Sequence, residues 1–217
     1  MTARPWFDRL AHDLRGPLTS LQTAAYLLKS DPRGANAHEL ADIIVRQGQR
    51  LGRMIEELDD WVRVEQQRLL DQRAPVELAP MLDLALTGVP GCAIEPDVAD
   101  DARSLVVDGD EARLTQLFRI LLAHAVSRDP GAHLKVGRHG DAAVMTLGDR
   151  GPALSDEQLE RLLATSQHPA PDDGLGLRLL IAAAIAEAHG GALEARRPPS
   201  GEGLELRCTL PLAPVDN

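Results

Sequence analysis

A helical hairpin followed by a mixed α/β domain is the fold class this 217-residue sequence predicts, on three observations. Apolar residues step by threes and fours through about the first seventy positions, the period of helices with one apolar stripe. Beyond residue 72 the pattern changes to short alternating runs separated by further helical stretches, the mark of strands and helices in one domain. The segment Gln72-Arg73-Ala74-Pro75 lies between the two regimes. Two parts are expected: residues 1–72 and residues 73–217.

In the first part Phe7, Leu10, Ala11, Leu14, Leu18, Leu21, Ala25 and Leu28 form one stripe. Ser30-Asp31-Pro32-Arg33-Gly34 interrupts it, as proline and glycine close to one another do. A second stripe then runs through Leu40, Ile44, Gln47, Leu51, Met54, Leu58 and Trp61 to about Leu70, with Trp61 expected in the core. A short turn between two heptad-like helices makes a hairpin, and two helices alone leave half of each stripe uncovered. The hairpin is therefore expected to pair with a second copy as a dimeric four-helix bundle.

In the second part residues 76–87 read as a short strand running into a helix, and residues 93–94 and 104–107 as short strands. A helix is expected over 111–126, a β-hairpin over 133–138 and 142–147 around Gly140-Asp141, and a short helix over 156–163 behind Ser155 as N-cap. Residues 165–174 form a loop. A helix over 175–188 ends at His189-Gly190-Gly191, where glycine can take the left-handed cap conformation, and strands over 193–196 and 204–210 complete the fold. The acidic run Asp97-Val98-Ala99-Asp100-Asp101 reads as a solvated loop.

Composition narrows the function. With 23 basic against 33 acidic side chains the chain carries a net charge of −10, which argues against nucleic acid, whose binding draws on basic surface. Cys92 and Cys208 stand far apart with no CxxC, so neither a disulfide framework nor a zinc site is expected, and a reducing cytoplasmic location follows. No stretch reaches the roughly 18 apolar residues of a membrane span. His38, His133, His139, His168 and His189 share no ligand-like spacing and read as solvated or capping residues, so no metal site is expected in the protein itself.

Chemistry concentrates at a few positions. On a helical wheel His12 lies off the apolar stripe and faces solvent, with Asp13 directly after it. An exposed imidazole is a nucleophile near neutral pH, and an adjacent carboxylate can fix its tautomer and take up developing positive charge. Gly16-Pro17 follows one turn later, and a proline there is expected to bend the helix beside the histidine. Taken alone, these residues fit a solvated surface histidine better than a reactive one. In the second part Gly148-Asp149-Arg150-Gly151-Pro152 puts a carboxylate at a strand end, where it could accept a hydrogen bond from a ligand amine. Gly174-Leu175-Gly176-Leu177 sits at the mouth of a predicted helix, where free N–H groups and close backbone approach favour a phosphate.

The order of these pieces resembles the transmitter region of bacterial two-component sensor histidine kinases: a phosphoacceptor hairpin followed by an ATP-binding domain of the gyrase, Hsp90, kinase and MutL type. His12-Asp13-Leu14-Arg15-Gly16-Pro17-Leu18-Thr19 is similar to the family's phosphoacceptor box, which implies that His12 is phosphorylated and Asp13 is its acidic partner. Val107-Asp108-Gly109-Asp110 and Arg113-Leu114-Thr115-Gln116-Leu117 resemble the segment leading into the asparagine box. Asp149 and Gly151 match the first glycine box, which implies adenine recognition by Asp149. Gly174 and Gly176, with Ala188-His189-Gly190-Gly191 after the next helix, match the second, which implies phosphate contact. The resemblance also implies an α/β sandwich for residues 73–217, ATP and Mg²⁺ as cofactors, a homodimer, and a response-regulator receiver domain as partner.

The chain departs from the pattern inside the helix 111–126 and just after it. Ile120 and His124 stand where the family places asparagines, and Ser127 where it places a lysine or arginine. An imidazole is a poorer ligand than an amide oxygen for Mg²⁺, which prefers oxygen. Arg119 and Arg128 are the nearest cations that could replace the lost phosphate contact. At Gly16, relatives with phosphatase activity carry Thr or Asn, so that activity is not expected. Two readings stay open. In one the protein is an autokinase that phosphorylates His12 from ATP and passes the phosphoryl group to a receiver aspartate. In the other it is a histidine phosphotransferase or scaffold with a vestigial ATP domain, including a silent form that pairs with a separate sensor or kinase chain.

Overall fold

The computed structural model describes residues 5–170 and 174–214, with side chains from Arg9 onward. The side chain of Phe7, counted in the first stripe, and residues 171–173 of the predicted loop lie outside the described residues. The chain divides into two compact units, one of Met1–Val62 with Ser166–Leu177, the other of Arg63–Thr165 with Arg178–Asn217.

Two long helices dominate the first unit: α1 is Pro5–Ser30 and α2 is Ala37–Glu65, of which the last three residues belong to the second unit. Helix α1 runs unbroken through Pro17, whose ring is buried, and Lys29 in its last turn suits the negative end of the helix dipole. Gly34 ends the connecting turn by accepting from the Ala37 amide. Ala24, Met54 and Glu57 are buried, while Trp61 is half-buried. Leu18, Tyr26, Leu27, Val45, Ile55 and Val62 remain exposed. Val45, Ile55 and Val62 share one face of α2, an apolar face left in water.

In the second unit β1 (Ala74–Glu77) leads directly into α3 (Leu78–Thr87). Then come β2 (Asp97–Val98), a short 3-10 turn, β3 (Val106–Gly109), α4 (Glu111–Arg128), β4 (His133–His139) and β5 (Ala142–Gly148). Helices α5 (Asp156–Leu162) and α6 (Arg178–Ala188) and strands β6 (Ala192–Arg196) and β7 (Glu205–Pro211) complete it. Five strands form one sheet in the order β2-β4-β5-β7-β6, antiparallel except for the β2–β4 pair, and β1 and β3 form a separate antiparallel pair.

Alternation along the sheet selects one face for burial. Leu134, Val136, Ala143, Met145, Leu147, Leu206, Cys208 and Leu210 are buried, and the helices supply Met81, Leu114, Leu117, Phe118, Leu121, Ile181 and Ile185 from the other layer. Aliphatic residues with a single buried phenylalanine build this core. Burial pushes the Cys208 thiol up to about 12, so it is an inert apolar residue, and Cys92 is also a free thiol.

Three departures from the sequence expectation exceed a shift of two residues. Residues 93–94 form no strand; the adjacent Asp97–Val98 does, adding to β4 in parallel through the backbone, so the acidic run is partly sheet edge. A two-residue edge strand needs only backbone pairing and leaves the Asp97 side chain in water, so no apolar alternation announces it. Helix α6 begins at Arg178 rather than at residue 175, because Gly176 takes φ of +75° and breaks the helical path. Helix α2 stops at Glu65, and Gln67 follows with φ of +54°.

Candidate functional site

Within α1 the His12 side chain is 88% exposed and Asp13, one residue on, is 24% exposed. The Nδ1 atom of His12 lies 3.4 Å from Asp13 Oδ1, a long contact that turns Nε2 away from the carboxylate. Gly16, one turn later on the same side, has open space where a Cβ would stand, and its carbonyl accepts from the Ser20 hydroxyl.

In the α/β unit the junction of β3 and α4 is built on Asp110. Its Oδ1 accepts from the Arg113 amide as an N-cap, and its Oδ2 accepts from the amides of Asp71 and Gln72. Burial opposes ionisation of this carboxyl, but the three backbone donors outweigh it and hold the group below the usual carboxylate range. The Asp110 amide donates to Nε2 of His189, whose Nδ1–H reaches the Ile185 carbonyl at 2.7 Å. His189 is therefore a buried neutral imidazole and not a solvated one; burial pushes its pKa down. Gly109 leaves room for the ring, which a Cβ there would strike.

Along α4, Ile120 is buried, His124 is half-buried, and the Ser127 hydroxyl turns back to the His124 carbonyl. Among the described residues no cluster of three His, Cys, Asp or Glu side chains could hold a metal. The oxygen donors that Mg²⁺ prefers are missing from these positions, and the ion does not fit them.

Asp149, just past β5, is 2% exposed in its side chain. Its Oδ1 accepts from the amides of Gly151 and Leu204, and its Oδ2 accepts from Arg128 Nε at 2.7 Å. Arg128 also donates to the Pro152 carbonyl, so its guanidinium is committed to this loop and not to the phosphate contact considered for it. Gly203, at φ of +82°, lets its strand approach: a Cβ there would run into the Asp149 carbonyl. Asp129 steadies the same loop, accepting from the amides of Arg150 and Gly131, which lower its pKa.

The turn Gly174-Leu175-Gly176-Leu177 belongs to the helical unit. The Gln167 amide donates to the Gly176 carbonyl, and a Cβ on Gly176 would run into the Gln167 carbonyl, so only glycine closes this segment on itself. The Leu175 and Leu177 amides donate to Oε2 of Glu57 on α2, at 3.1 and 3.0 Å.

Two family models match the chain, the His Kinase A phosphoacceptor domain over residues 6–67 and the histidine kinase-, DNA gyrase B- and HSP90-like ATPase over residues 109–214. This protein belongs to the transmitter regions of two-component sensor histidine kinases. The sensor histidine kinase ZraS of Salmonella typhimurium is 27% identical over 208 residues, 94% of this chain and 44% of that protein. The histidine kinase BaeS of Escherichia coli is 28% identical over 223 residues, 96% of this chain and 47% of that protein. The transmitter thus spans less than half the length of these sensor kinases. Among solved structures, the Acinetobacter baumannii histidine kinase AdeS superposes with a TM-score of 0.73 at 19% identity, covering 94% of this chain and 98% of that one. Full-length ShkA, solved in complex with AMPPNP, gives 0.67 at 21% identity over 99% of this chain and 47% of that one. Both share the transmitter's fold.

Two polar contacts at these candidate residues escape the sequence reading. Glu57 falls between Met54 and Trp61 at helical spacing, so a carboxylate on the apolar side of α2 was the available signal. The Arg128–Asp149 pair joins residues 21 apart across a hairpin, and no local pattern announces it.

Proposed function

We propose that this transmitter carries the phosphoryl group of a two-component relay on His12, with ATP as donor and an aspartate of a response-regulator receiver domain as acceptor. The exposed His12 imidazole with Nδ1 toward Asp13 is the observation that carries this reading. A proton kept on Nδ1 leaves the Nε2 lone pair free and outward. Nε2 attacks the γ-phosphorus, the bond from that phosphorus to the bridging oxygen breaks, and ADP leaves with the electron pair. The positive charge left on the ring is met by Asp13. In the second transfer the N–P bond breaks as a receiver carboxylate oxygen takes the phosphoryl group, returning His12 to neutral imidazole.

Asp149 and the amides of the 174–177 turn are the groups we assign to adenine and phosphate, with Gly151, Gly174 and Gly176 permitting the close approach. His124 stands where the family places the asparagine that meets Mg²⁺, and no step is routed through that ion. The exposed apolar face of α2, Val45, Ile55 and Val62, supports homodimerisation. A second reading, a phosphotransferase with a vestigial ATP domain, is favoured by Arg128 sitting on Asp149 and by Ile120 and His124 in α4.

Incubation of wild type and His12→Ala with γ-labelled ATP in magnesium buffer tests the two. Acid-labile label on the wild type that is absent from the variant supports the autokinase. An unlabelled wild type that accepts a phosphoryl group from a phosphorylated receiver domain supports the relay reading instead.

A further inference from the structure

The amides of Leu175 and Leu177 lead out of a glycine-rich turn and converge on one carboxylate oxygen, Glu57 Oε2. Glu57 is 4% exposed and the two leucines are buried, so no water competes for these bonds. A buried carboxylate is tolerated where backbone donors meet it, and two such donors on one oxygen are charge-assisted and strong. Two converging amides beside flexible glycines also make the receptor that a phosphate oxygen requires. Glu57 therefore has the charge and acceptor geometry of a phosphate, presented from α2.

We propose that Glu57 is a positioning residue that occupies the phosphate-facing amides of the second glycine box in the nucleotide-free chain and yields them to nucleotide. The inference rests on the reading that the 174–177 turn takes phosphate. A carboxylate and a phosphate cannot share the same two N–H groups, so nucleotide entry separates the turn from α2. Removal of the nucleotide lets the turn return. Loading of the nucleotide is thereby reported to the same helical unit that carries His12. The Ser166 hydroxyl, which begins the segment, accepts from Arg9 Nη2 at 3.4 Å, so both ends of the segment touch the hairpin in this state.

If the bond to Glu57 leaves about a tenth of molecules competent, the apparent dissociation constant is raised about tenfold. The test titrates a fluorescent anthraniloyl-ADP into wild type, Glu57→Gln and Glu57→Ala, after circular dichroism shows all three folded. Hydrogen exchange of the Leu175 and Leu177 amides is measured without nucleotide in the same proteins. The proposal expects the Ala variant to bind about tenfold tighter, the Gln variant to fall between, and both amides to exchange at least about tenfold faster in the Ala variant. A carboxylate that only supports structure would lower affinity when removed. Equal or weaker binding by the variants, or unchanged exchange, overturns the proposal and leaves the phosphate reading standing. Absence of binding by all three proteins overturns that reading, and the proposal with it.

Discussion

Asp110 and His189 show how single residues hold the α/β unit in register. One carboxylate collects three backbone amides and its own amide is received by a buried imidazole, so four polar groups are satisfied where β3 meets α4. Asp110→Ala removes the cap and strands the Asp71 and Gln72 amides, and we expect a loss of about 2 kcal/mol, read as a lower thermal midpoint. His189 makes a pH prediction of fixed sign. Its folded-state pKa lies below the ordinary 6.5, so the unfolded chain takes up a proton first on acidification. The stabilising contribution is full above about pH 6.5 and is lost as pH falls through the interval down to the folded-state value. His189→Ala is accordingly less stable than wild type at about pH 7.5, and the gap between their melting temperatures narrows on acidification to about pH 5.5. A gap that widens would contradict the neutral, buried imidazole. At this scale the sequence exposed His12 and Asp149, which stand in recognisable local patterns. It hid the partners Arg128 and Glu57, because a polar contact across the chain depends on the fold that brings its ends together.

Glycines distinguish two kinds of requirement at the scale of elements. Gly16 lies inside α1 with open space around a would-be Cβ, so Gly16→Ala should strengthen the helix by about 1 kcal/mol in thermal melts followed by circular dichroism. Gly191 follows α6 against the Thr209 carbonyl, and a Cβ there would run into that oxygen, so Gly191→Ala should lower the midpoint instead. Most elements were legible from periodicity and local turn signals: α4 from its apolar period, α5 behind Ser155 as N-cap, and the β4–β5 hairpin at Gly140. The misses have physical causes. Strand β2 is two residues long and held by backbone alone, and the start of α6 was displaced by one glycine with positive φ, which an apolar count does not register. Helix α1 continues through Pro17, where a bend is expected from the sequence.

For the whole molecule the exposed apolar face of α2 is an unmet demand. Val45, Ile55 and Val62 lie within about one third of a turn on α2, with Leu18 and Leu27 exposed on α1. A two-fold bundle would bury the α2 group once in each protomer. Ile55→Glu should therefore raise the dimer dissociation constant by about a hundredfold or more, seen as a shift from dimer to monomer in light scattering after size-exclusion chromatography. Unchanged mass would place the dimer surface elsewhere. The net charge of −10 and the single partner chemistry implied by a phosphohistidine both suit protein partners rather than nucleic acid. That His12 carries the phosphoryl group is common to the autokinase and the relay, whatever the ATP domain contributes. Mass-spectrometric mapping of the phosphorylated chain, after loading from ATP or from a phosphorylated receiver, tests it most directly: a phosphoryl group on the peptide containing His12, labile to acid and stable to base, is the predicted outcome, and phosphate on any other residue with His12 unmodified would contradict it.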